Sequence, residues 1–246
     1  MSERCLTPYK PAWLERLLSR CPGQCQICRS WTQAQICTDC LQRYASPVPR
    51  CRTCAARLPM SSLRQCGSCL RHPPPVDRTI AALDYAFPWD RLLQRFKFND
   101  GIELQAVLLD RLEQALQLEL AEAPDWLLAV PLSGQRQRER GYNQSHQLAK
   151  VLARRHQLRC DPDLLLRVRS TRQQAQLALH ERAANMHQAF AVEPARQREL
   201  RGSHVAIVDD VMTSGATLFE LARVLRRAGA TRVQAWVIAR TPGPKD

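Results

Sequence analysis

The chain has 246 residues, of which 45% are hydrophobic, and a formal net charge of +13 at pH 7. This length accommodates one large domain or a domain with a small appendage. No apolar run approaches the roughly 18 residues of a membrane span, and the N-terminus lacks the apolar core of a signal peptide, so we expect a cytoplasmic protein with no membrane span. The charge favours an anionic partner, either nucleic acid, a phosphorylated metabolite or a membrane surface, although a solvated basic surface would also explain it.

Cysteines dominate the N-terminal part of the chain. Ten of the eleven lie within residues 1–69, and eight of these form four C-x-x-C pairs separated by 8, 10 and 11 residues. Because one pair brings two sulfur atoms to one tetrahedral ion, four pairs predict two closed, structural Zn²⁺ sites. The simplest assignment is sequential, and a cross-braced assignment is also open. The sequential ligand sets are Cys25, Cys28, Cys37 and Cys40 for the first site, and Cys51, Cys54, Cys66 and Cys69 for the second.

Two other uses of the cysteines, disulfide bonds and redox chemistry, fit the sequence less well than metal binding. Disulfides require an oxidising compartment, which no secretory signal supports, and four evenly spaced pairs are unlike a thioredoxin-type redox motif. A segment this small has little hydrophobic core, so metal binding would help to fold it. Cys5 and Cys21 are left over, with Cys21 a candidate substitute ligand.

A proline-rich connector, RHPPPVDR (71–78), follows the cysteine-rich module of residues 1–70. Beyond it, strands alternate with helices, which predicts an α/β fold with a parallel sheet and helices on both faces. The predicted strands are 78–85, 125–131, 204–210 and 232–240, and the predicted helices are 90–98, 102–120, 143–156 and 214–230.

One stretch, VAIVDDVMTSGATL (205–218), carries the clearest chemistry. Asp209 and Asp210 close a predicted strand, and ligands of parallel sheets bind beyond the carboxyl ends of the strands. The next residues lead into a helix, whose first N–H groups and dipole favour an anion. The loop adds hydroxyl donors and one residue that lets the backbone approach closely: Thr213, Ser214, Thr217 and Gly215.

The two carboxylates would repel a phosphate, so they suit hydroxyl groups or hydrated Mg²⁺ beside it. A phosphate next to a diol indicates a ribose 5-phosphate. The chain has neither a G-x-x-x-x-G-K-[ST] motif nor a G-x-G-x-x-G motif after a strand, which argues against a P-loop nucleotidase and a dinucleotide site. The alternative is a solvated acidic strand end with an ordinary Ser/Thr helix cap.

The stretch 205–218 resembles the 5-phosphoribosyl 1-pyrophosphate (PRPP) signature of type I phosphoribosyltransferases. Three further segments, RFKFNDGIEL, VPLSGQRQRERGYNQSHQLA and TRQQAQLALHERAANMHQAF, resemble the ComF/GntX family in that order, behind a cysteine-rich N-terminus. The resemblance implies that residues 79–246 form a type I phosphoribosyltransferase-like parallel sheet with helices on both faces. A small double zinc-ribbon module would precede it.

The resemblance also implies roles for individual residues. Asp209 and Asp210 would contact the ribose hydroxyls as catalytic residues, and segment 130–144 would form the pyrophosphate loop. Segment 171–190 is similar to a loop that covers the site, and the family pattern is not matched at Asn99, where another basic residue is usual. The expected 5-phosphate ligands are Thr213, Ser214, Gly215, Ala216 and Thr217; the expected pyrophosphate-side residues are Arg136, Arg138, Arg140, Asn143, Gln144 and Lys97; and the covering loop contributes Thr171, Gln174, Arg182 and Asn185.

Three functions follow as expectations. The first is a ComF-like protein that binds PRPP with Mg²⁺ and handles single-stranded DNA during competence or DNA uptake, together with other DNA-uptake proteins. Residues 131–201 carry 14 Lys or Arg against 6 Asp or Glu, which suits DNA contact. The second is an active phosphoribosyltransferase of nucleobase salvage, whose acceptor pocket would come from residues 70–100 or the zinc module. The third is a zinc-ribbon adaptor with an inert transferase domain.

Overall fold

The computed structural model describes residues 23–97, 101–120, 122–169 and 184–243. The chain divides into two compact units, Met1–Ser46 and Pro47–Asp246. The second cysteine set therefore lies in the same unit as the sheet, whereas the sequence places the end of the cysteine-rich module at residue 70. The domain limits 1–70, 71–78 and 79–246 stay a prediction.

The first unit is a small cysteine-bearing fold. Strand β1 (Gly23–Gln24) pairs antiparallel with β2 (Trp31–Thr32), and the helix α1 (Thr38–Tyr44) follows. Cys25 and Cys40 are buried here, and Cys37 is the N-cap residue of α1. A tight turn and the start of a short helix thus supply the sulfur atoms.

The second unit contains a four-stranded parallel sheet with the order β3-β8-β7-β4. A separate antiparallel pair is formed by β5 and β6. The strands are β3 (Arg78–Asp84), β4 (Trp126–Ala129), β5 (Leu165–Arg167), β6 (Phe190–Val192), β7 (His204–Met212) and β8 (Arg232–Arg240). The helices are α2 (Gly67–Arg71), α3 (Trp89–Lys97), α4 (Gln105–Glu119), α5 (Gly134–Arg140), α6 (Gln144–His156) and α7 (Ala216–Arg227), with 3₁₀ turns at Ile102–Leu104 and Pro194–Leu200.

The apolar runs of the central strands are explained by cover on both faces of the sheet. Val205 and Ile207 of β7 share a hydrophobic cluster with α7, while α4 and α6 pack against the sheet through leucines outside that cluster. In β8, every residue between the two terminal arginines is buried. A parallel sheet covered on both faces requires such continuous apolar strands.

The predicted elements of the sheet are confirmed, with shifts at the site. Strand β7 runs to Met212 rather than ending at Asp210, and α7 begins at Ala216 rather than at 214. Residues 134–140, expected as part of a loop, form α5, and the β5–β6 pair was not predicted from the sequence. Among the residues described, no helix combines the length and apolar character that a membrane span requires.

The loop that carries the first pair of the second cysteine set is fixed to the edge of this sheet. The Thr79 amide donates to the Arg52 carbonyl over 2.7 Å, and the Thr79 hydroxyl donates to the Thr53 carbonyl over 2.6 Å. The buried Arg50 guanidinium lies 2.9 Å from Asp84 at the end of β3. The cysteine loop therefore lies along β3, with contacts from Thr79 near its start to Asp84 at its end.

Candidate functional site

The two cysteine sets repeat one local geometry. Cys25 and Cys51 each donate their amide to the carbonyl five residues ahead, over 2.8 Å, and each accepts an amide from four residues ahead. The residue after the second cysteine of each loop has positive φ, 67° at Arg29 and 56° at Ala55. The third cysteine then caps a helix whose first turn holds the fourth.

The sulfur atoms of each set converge. Within each set of four, all lie within 4.8 Å of one another, and the grouping is sequential rather than cross-braced. The amide of the third cysteine points at the sulfur of the first, over 3.4 Å from Cys37 to Cys25 and 3.3 Å from Cys66 to Cys51. All nine cysteines of the described residues are free thiols, so disulfide bonds do not account for the convergence.

Local hydrogen bonds prepare the first cysteine of each set as a thiolate. A hydrogen bond from Cys54 lowers the pKa of Cys51 to about 4, with help from backbone amides. Burial raises the pKa of Cys25, but amides of Cys28 and Cys37 outweigh it and bring the value to about 6. Four sulfur donors with N–H···S support fit a tetrahedral Zn²⁺ ion, and both sets have the geometry to hold one.

A cavity of about 940 Å³ opens at the carboxyl ends of the parallel strands. Its floor is formed by Asp209 and Asp210, and its walls come from the loop after β7, from α5 and the start of α6, and from the end of β8. The predicted residues that line it are Lys97, Arg136, Arg140, Gln144, Asp209, Asp210, Thr213, Ser214, Gly215, Ala216 and Thr217.

The two carboxylates differ in their partners. Asp209 accepts the Ser145 hydroxyl and the Asp210 amide, each over 2.9 Å, while Asp210 lies 3.2 Å from the ammonium group of Lys97. Burial, and then the Asp210 carboxylate, raise the pKa of Asp209 to about 7, against the opposing effects of Ser145 and Lys97. Asp210 is thus charge-compensated by Lys97, whereas the pKa of the Asp209 carboxyl is raised above its ordinary value.

The loop after β7 forms a cradle that we define as residues 213–217. Gly215 has φ 82° and directly precedes α7. A Cβ atom there would lie 2.6 Å from the Met212 side chain and 2.7 Å from two ring atoms of Phe219, so this position has no room for a side chain. The first N–H groups of α7 have no partner within the helix, and the residues that carry them, Ala216, Thr217 and Leu218, line the cavity. This is the arrangement that binds an anion at a helix N-terminus.

Arginines form another part of the cavity wall, which we call the arginine wall. Arg136 and Arg140 of α5 line the cavity, and Arg140 donates to the side chain of Gln144 over 3.2 Å. Gln144 is buried and donates to the Lys97 carbonyl over 2.6 Å, so it holds the basic groups of α3 and α5 together. The result is a positively charged wall in the same cavity as the two acids.

Some predicted residues lie elsewhere. Arg138 is exposed and outside the cavity, and Asn143 caps α6, accepting the His146 amide and donating to the Val130 carbonyl. The backbone carbonyl of Asn185 accepts from Arg169. The remaining residues considered in the sequence lie outside the described residues: Cys5, Cys21, Asn99, Thr171, Gln174 and Arg182.

Three site residues were missed by sequence reasoning. Ser145 is the partner of Asp209 and directly follows segment 130–144, the expected pyrophosphate loop. This proximity was the available signal. Arg167 of β5 lines the cavity over the Phe190 ring, with its pKa lowered by burial and by Arg136 and Arg169. Arg240 reaches the cavity from the end of β8. Neither arginine lies in a recognisable motif.

Comparison with known proteins places this site in a class. Residues 143–246 match the family model of the phosphoribosyl transferase domain. With the parallel sheet, the match defines a protein with a phosphoribosyltransferase-type domain. A solved structure of the allosteric regulatory enzyme of purine biosynthesis covers 59% of this chain and 30% of its own, at 19% identity and a TM-score of 0.38, which is too distant to add to this assignment.

Full-length relatives are more specific. The DNA utilization protein YhgH of Salmonella typhimurium is 36% identical over 237 residues, covering 89% of this chain and 98% of the relative. Competence protein F of Haemophilus influenzae is 32% identical over 227 residues, covering 89% and 95%. Competence protein ComFC of Bacillus subtilis is 26% identical over 150 residues, covering 61% and 58%. The chain belongs to the ComF family.

The cysteine geometry predicts a metal content that can be measured. We expect purified protein to carry two Zn²⁺ ions, and Cys51→Ser to carry one, because each set is closed by its own four sulfur atoms. Elemental analysis, together with the thiolate-to-Co²⁺ absorption of cobalt-substituted protein, checks this. Cys160→Ser is the control, since Cys160 belongs to neither set. A wild-type content below two, or no change in Cys51→Ser, would contradict the assignment.

The raised pKa of Asp209 predicts a pH-dependent cost in stability. The folded pKa of about 7 exceeds the ordinary 3.8, so the folded state loses stability as pH rises from about 4 towards 7 and the carboxylate ionises. Asp209→Asn keeps an acceptor for Ser145 but carries no charge. We expect it to stabilise the protein by about 2 kcal/mol more at pH 8 than at pH 5.5.

Urea unfolding of both proteins at the two pH values measures this difference. Asp163→Asn, at an exposed carboxylate, corrects for the general effect of removing one negative charge. An equal effect of Asp209→Asn at both pH values would show that Asp209 titrates as an ordinary carboxylate.

Proposed function

We propose that the cavity binds PRPP with Mg²⁺, and that the protein uses this site in the handling of incoming single-stranded DNA. One observation carries the proposal: a phosphate cradle, a pair of acids and an arginine wall meet in one cavity of a phosphoribosyltransferase-type domain. PRPP carries a phosphate, a diol and a pyrophosphate, which need these three kinds of group.

The cradle suits the 5-phosphate. Backbone N–H groups at the start of α7 and the hydroxyls of Thr213, Ser214 and Thr217 offer neutral donors, and the helix dipole adds a favourable field. The Thr217 hydroxyl now points at the sulfur of Met186 over 3.4 Å, a weak bond that a phosphate oxygen readily replaces.

The acids suit the ribose diol, since a carboxylate accepts hydrogen bonds from vicinal hydroxyls. Bound Mg²⁺ would supply charge neutralisation between these oxygens and the pyrophosphate. Ser145 and the Asp210 amide orient Asp209, and Lys97 holds Asp210 in place. Arg136 and Arg140 can bind the pyrophosphate oxygens through charge-assisted hydrogen bonds.

The DNA role draws on different support. Relatives are named for DNA utilization and for competence, and they match almost their full length. Arg167 lies close enough to Arg136 and Arg169 for their charges to lower its pKa, so basic groups cluster beside the cavity. Arg138 and Arg169 extend this cluster onto exposed surface, where a phosphate backbone can reach it.

A second candidate function is transfer of the phosphoribosyl group to an acceptor. The cavity volume of about 940 Å³ lies near the top of the range of about 300–1,000 Å³ for small-molecule sites, which leaves room for an acceptor beside PRPP. Tyr85 lines the part of the cavity next to β8 and offers an aromatic face. Release of pyrophosphate from PRPP with a panel of nucleobases tests this activity, and its absence would favour a binding function.

Calorimetry with PRPP and Mg²⁺ tests the proposed ligand. We expect 1:1 binding, and a loss of at least about ten-fold in affinity for Arg136→Gln, since one charge-assisted hydrogen bond is worth about 1.5–3 kcal/mol. Arg138→Gln, on the exposed side of the same helix, should lose far less. Equal losses in the two variants would place the pyrophosphate elsewhere, and intact binding in Asp209→Asn/Asp210→Asn would contradict the site itself.

Fluorescence anisotropy with a labelled single-stranded oligonucleotide tests the DNA role. We expect binding at low salt that weakens steeply as salt is added, with a log–log slope of about −0.7 per phosphate contacted. Arg138→Glu/Arg169→Glu should weaken binding and flatten the slope. Arg91→Glu, at an exposed arginine of α3 outside the cavity, is the control. Failure of the wild-type protein to bind at low salt would overturn this part of the proposal.

A further inference from the structure

We propose that Arg240 is a positioning residue that couples the second cysteine set to the phosphate cradle, so that metal binding by this set raises the affinity of the cavity for its ligand. The coupling deepens the proposed function and, for its effect on affinity, rests on it. The first cysteine set is expected to exert a much smaller effect.

The guanidinium of Arg240 joins the two regions directly. Its Nε donates to the carbonyl of Cys54 over 2.9 Å, and its Nη1 donates to the carbonyl of Met212 over 3.3 Å. Cys54 is the second ligand candidate of its set, and Met212 is the last residue of β7, immediately before the cradle. One planar side chain therefore fixes a carbonyl of the cysteine loop and a carbonyl at the root of the cradle.

The same groups are also linked through the hydrophobic core. Cys51, Cys54 and Cys69 belong to one buried cluster with Met212 and Leu218. The Met212 side chain in turn closes over Gly215, where a Cβ atom would lie only 2.6 Å away. A displacement of the cysteine loop is thus transmitted to the cradle in two ways, through the hydrogen bonds of Arg240 and through the packing of the hydrophobic cluster.

The backbone and the side chain of Arg240 are both held at the end of the sheet. The Tyr85 amide donates to the Arg240 carbonyl over 2.8 Å, and the Arg240 Nη1 also donates to the Thr241 carbonyl over 2.5 Å. Asp84, paired in register with Arg240, holds Arg50 and Arg57 on either side of the cysteine loop. The guanidinium has little freedom to follow a moving Cys54 without releasing Met212.

Binding or loss of a metal ion is the event that we expect to move the cysteine loop. A closed four-cysteine site draws four sulfur atoms from two segments to one ion, and small metal loops gain most of their order from the ion. If Zn²⁺ fixes the loop at Cys51–Ala55, the Cys54 carbonyl stays available to Arg240 and the cradle stays formed. Linkage is reciprocal, so a ligand in the cradle should in turn raise the affinity of this set for its metal ion.

The first cysteine set provides a matched control within the same chain. Cys40 and Cys69 occupy equivalent positions in α1 and α2 and are similarly buried, at 6% and 4% exposed. The first set belongs to the other compact unit, whereas the second set receives a described hydrogen bond from Arg240 at the Cys54 carbonyl. The pair Cys40→Ser and Cys69→Ser therefore separates a general loss of metal from the proposed coupling.

Hydrogen exchange of the zinc-loaded protein tests the coupling without any ligand. We expect amide exchange in residues 213–218 to rise at least about ten-fold more in Cys69→Ser than in Cys40→Ser, in line with couplings of 5–150-fold between sites. Arg240→Gln should raise the same exchange with both metal ions retained. The double variant Arg240→Gln/Cys69→Ser should then exceed neither single variant, because both changes cut one connection.

Calorimetry with PRPP and Mg²⁺ on the same variants measures the effect on ligand binding. We expect the losses of PRPP affinity to rank the variants in the same order as the increases in amide exchange. Equal exchange in Cys40→Ser and Cys69→Ser, or additive effects in the double variant, would overturn the coupling. If Cys69→Ser does not fold, Arg240→Gln decides, and unchanged exchange in 213–218 refutes the proposal. Absence of PRPP binding by the wild-type protein, with the exchange pattern intact, would refute the proposed ligand and leave the coupling standing.

Discussion

The site depends on the placement of two adjacent carboxylates near the carboxyl end of one buried strand. Asp209 and Asp210 follow a run of fully buried apolar residues, and Lys97 lies against Asp210. Burial and mutual repulsion make this arrangement costly, as the raised pKa of Asp209 records. A destabilising pair of this kind in a cavity is typical of functional sites, where stability is lost in exchange for a chemically active group.

The cysteine sets show how one local motif takes different positions in the fold. Both sets repeat the same turn, the same positive φ residue and the same capped helix, since these features are fixed within a few residues of each C-x-x-C pair. Their surroundings differ, because the second set packs into the core of the sheet-bearing unit through Thr79, Asp84 and Arg240. The local sequence thus defines the geometry of each cysteine set, and tertiary packing decides which groups contact the set.

Much of the fold could be predicted because the patterns were strong. The buried strands β3, β7 and β8 are nearly continuous apolar runs, and the loop between β7 and α7 has an unusual composition. The sequence analysis missed helix α5 because GQRQRER contains no apolar residues whose spacing could reveal a helical period. The N-cap residue Ser133 is a weak signal by itself. Arg138 was grouped with Arg136 and Arg140, yet helical geometry turns it away from the cavity.

The sequence by itself determined the local chemistry: the C-x-x-C pairs, the adjacent acids at a strand end, and the hydroxyl-rich turn with its single glycine. These depend on contacts between residues close in the chain, which spacing and residue type suffice to define. The tertiary structure alone decided which distant groups meet them. Ser145 reaches Asp209, Arg167 joins the cavity wall, and Arg240 bridges Cys54 to Met212 across 186 and 28 residues of chain. Such contacts arise from strand order and register, which no local pattern encodes.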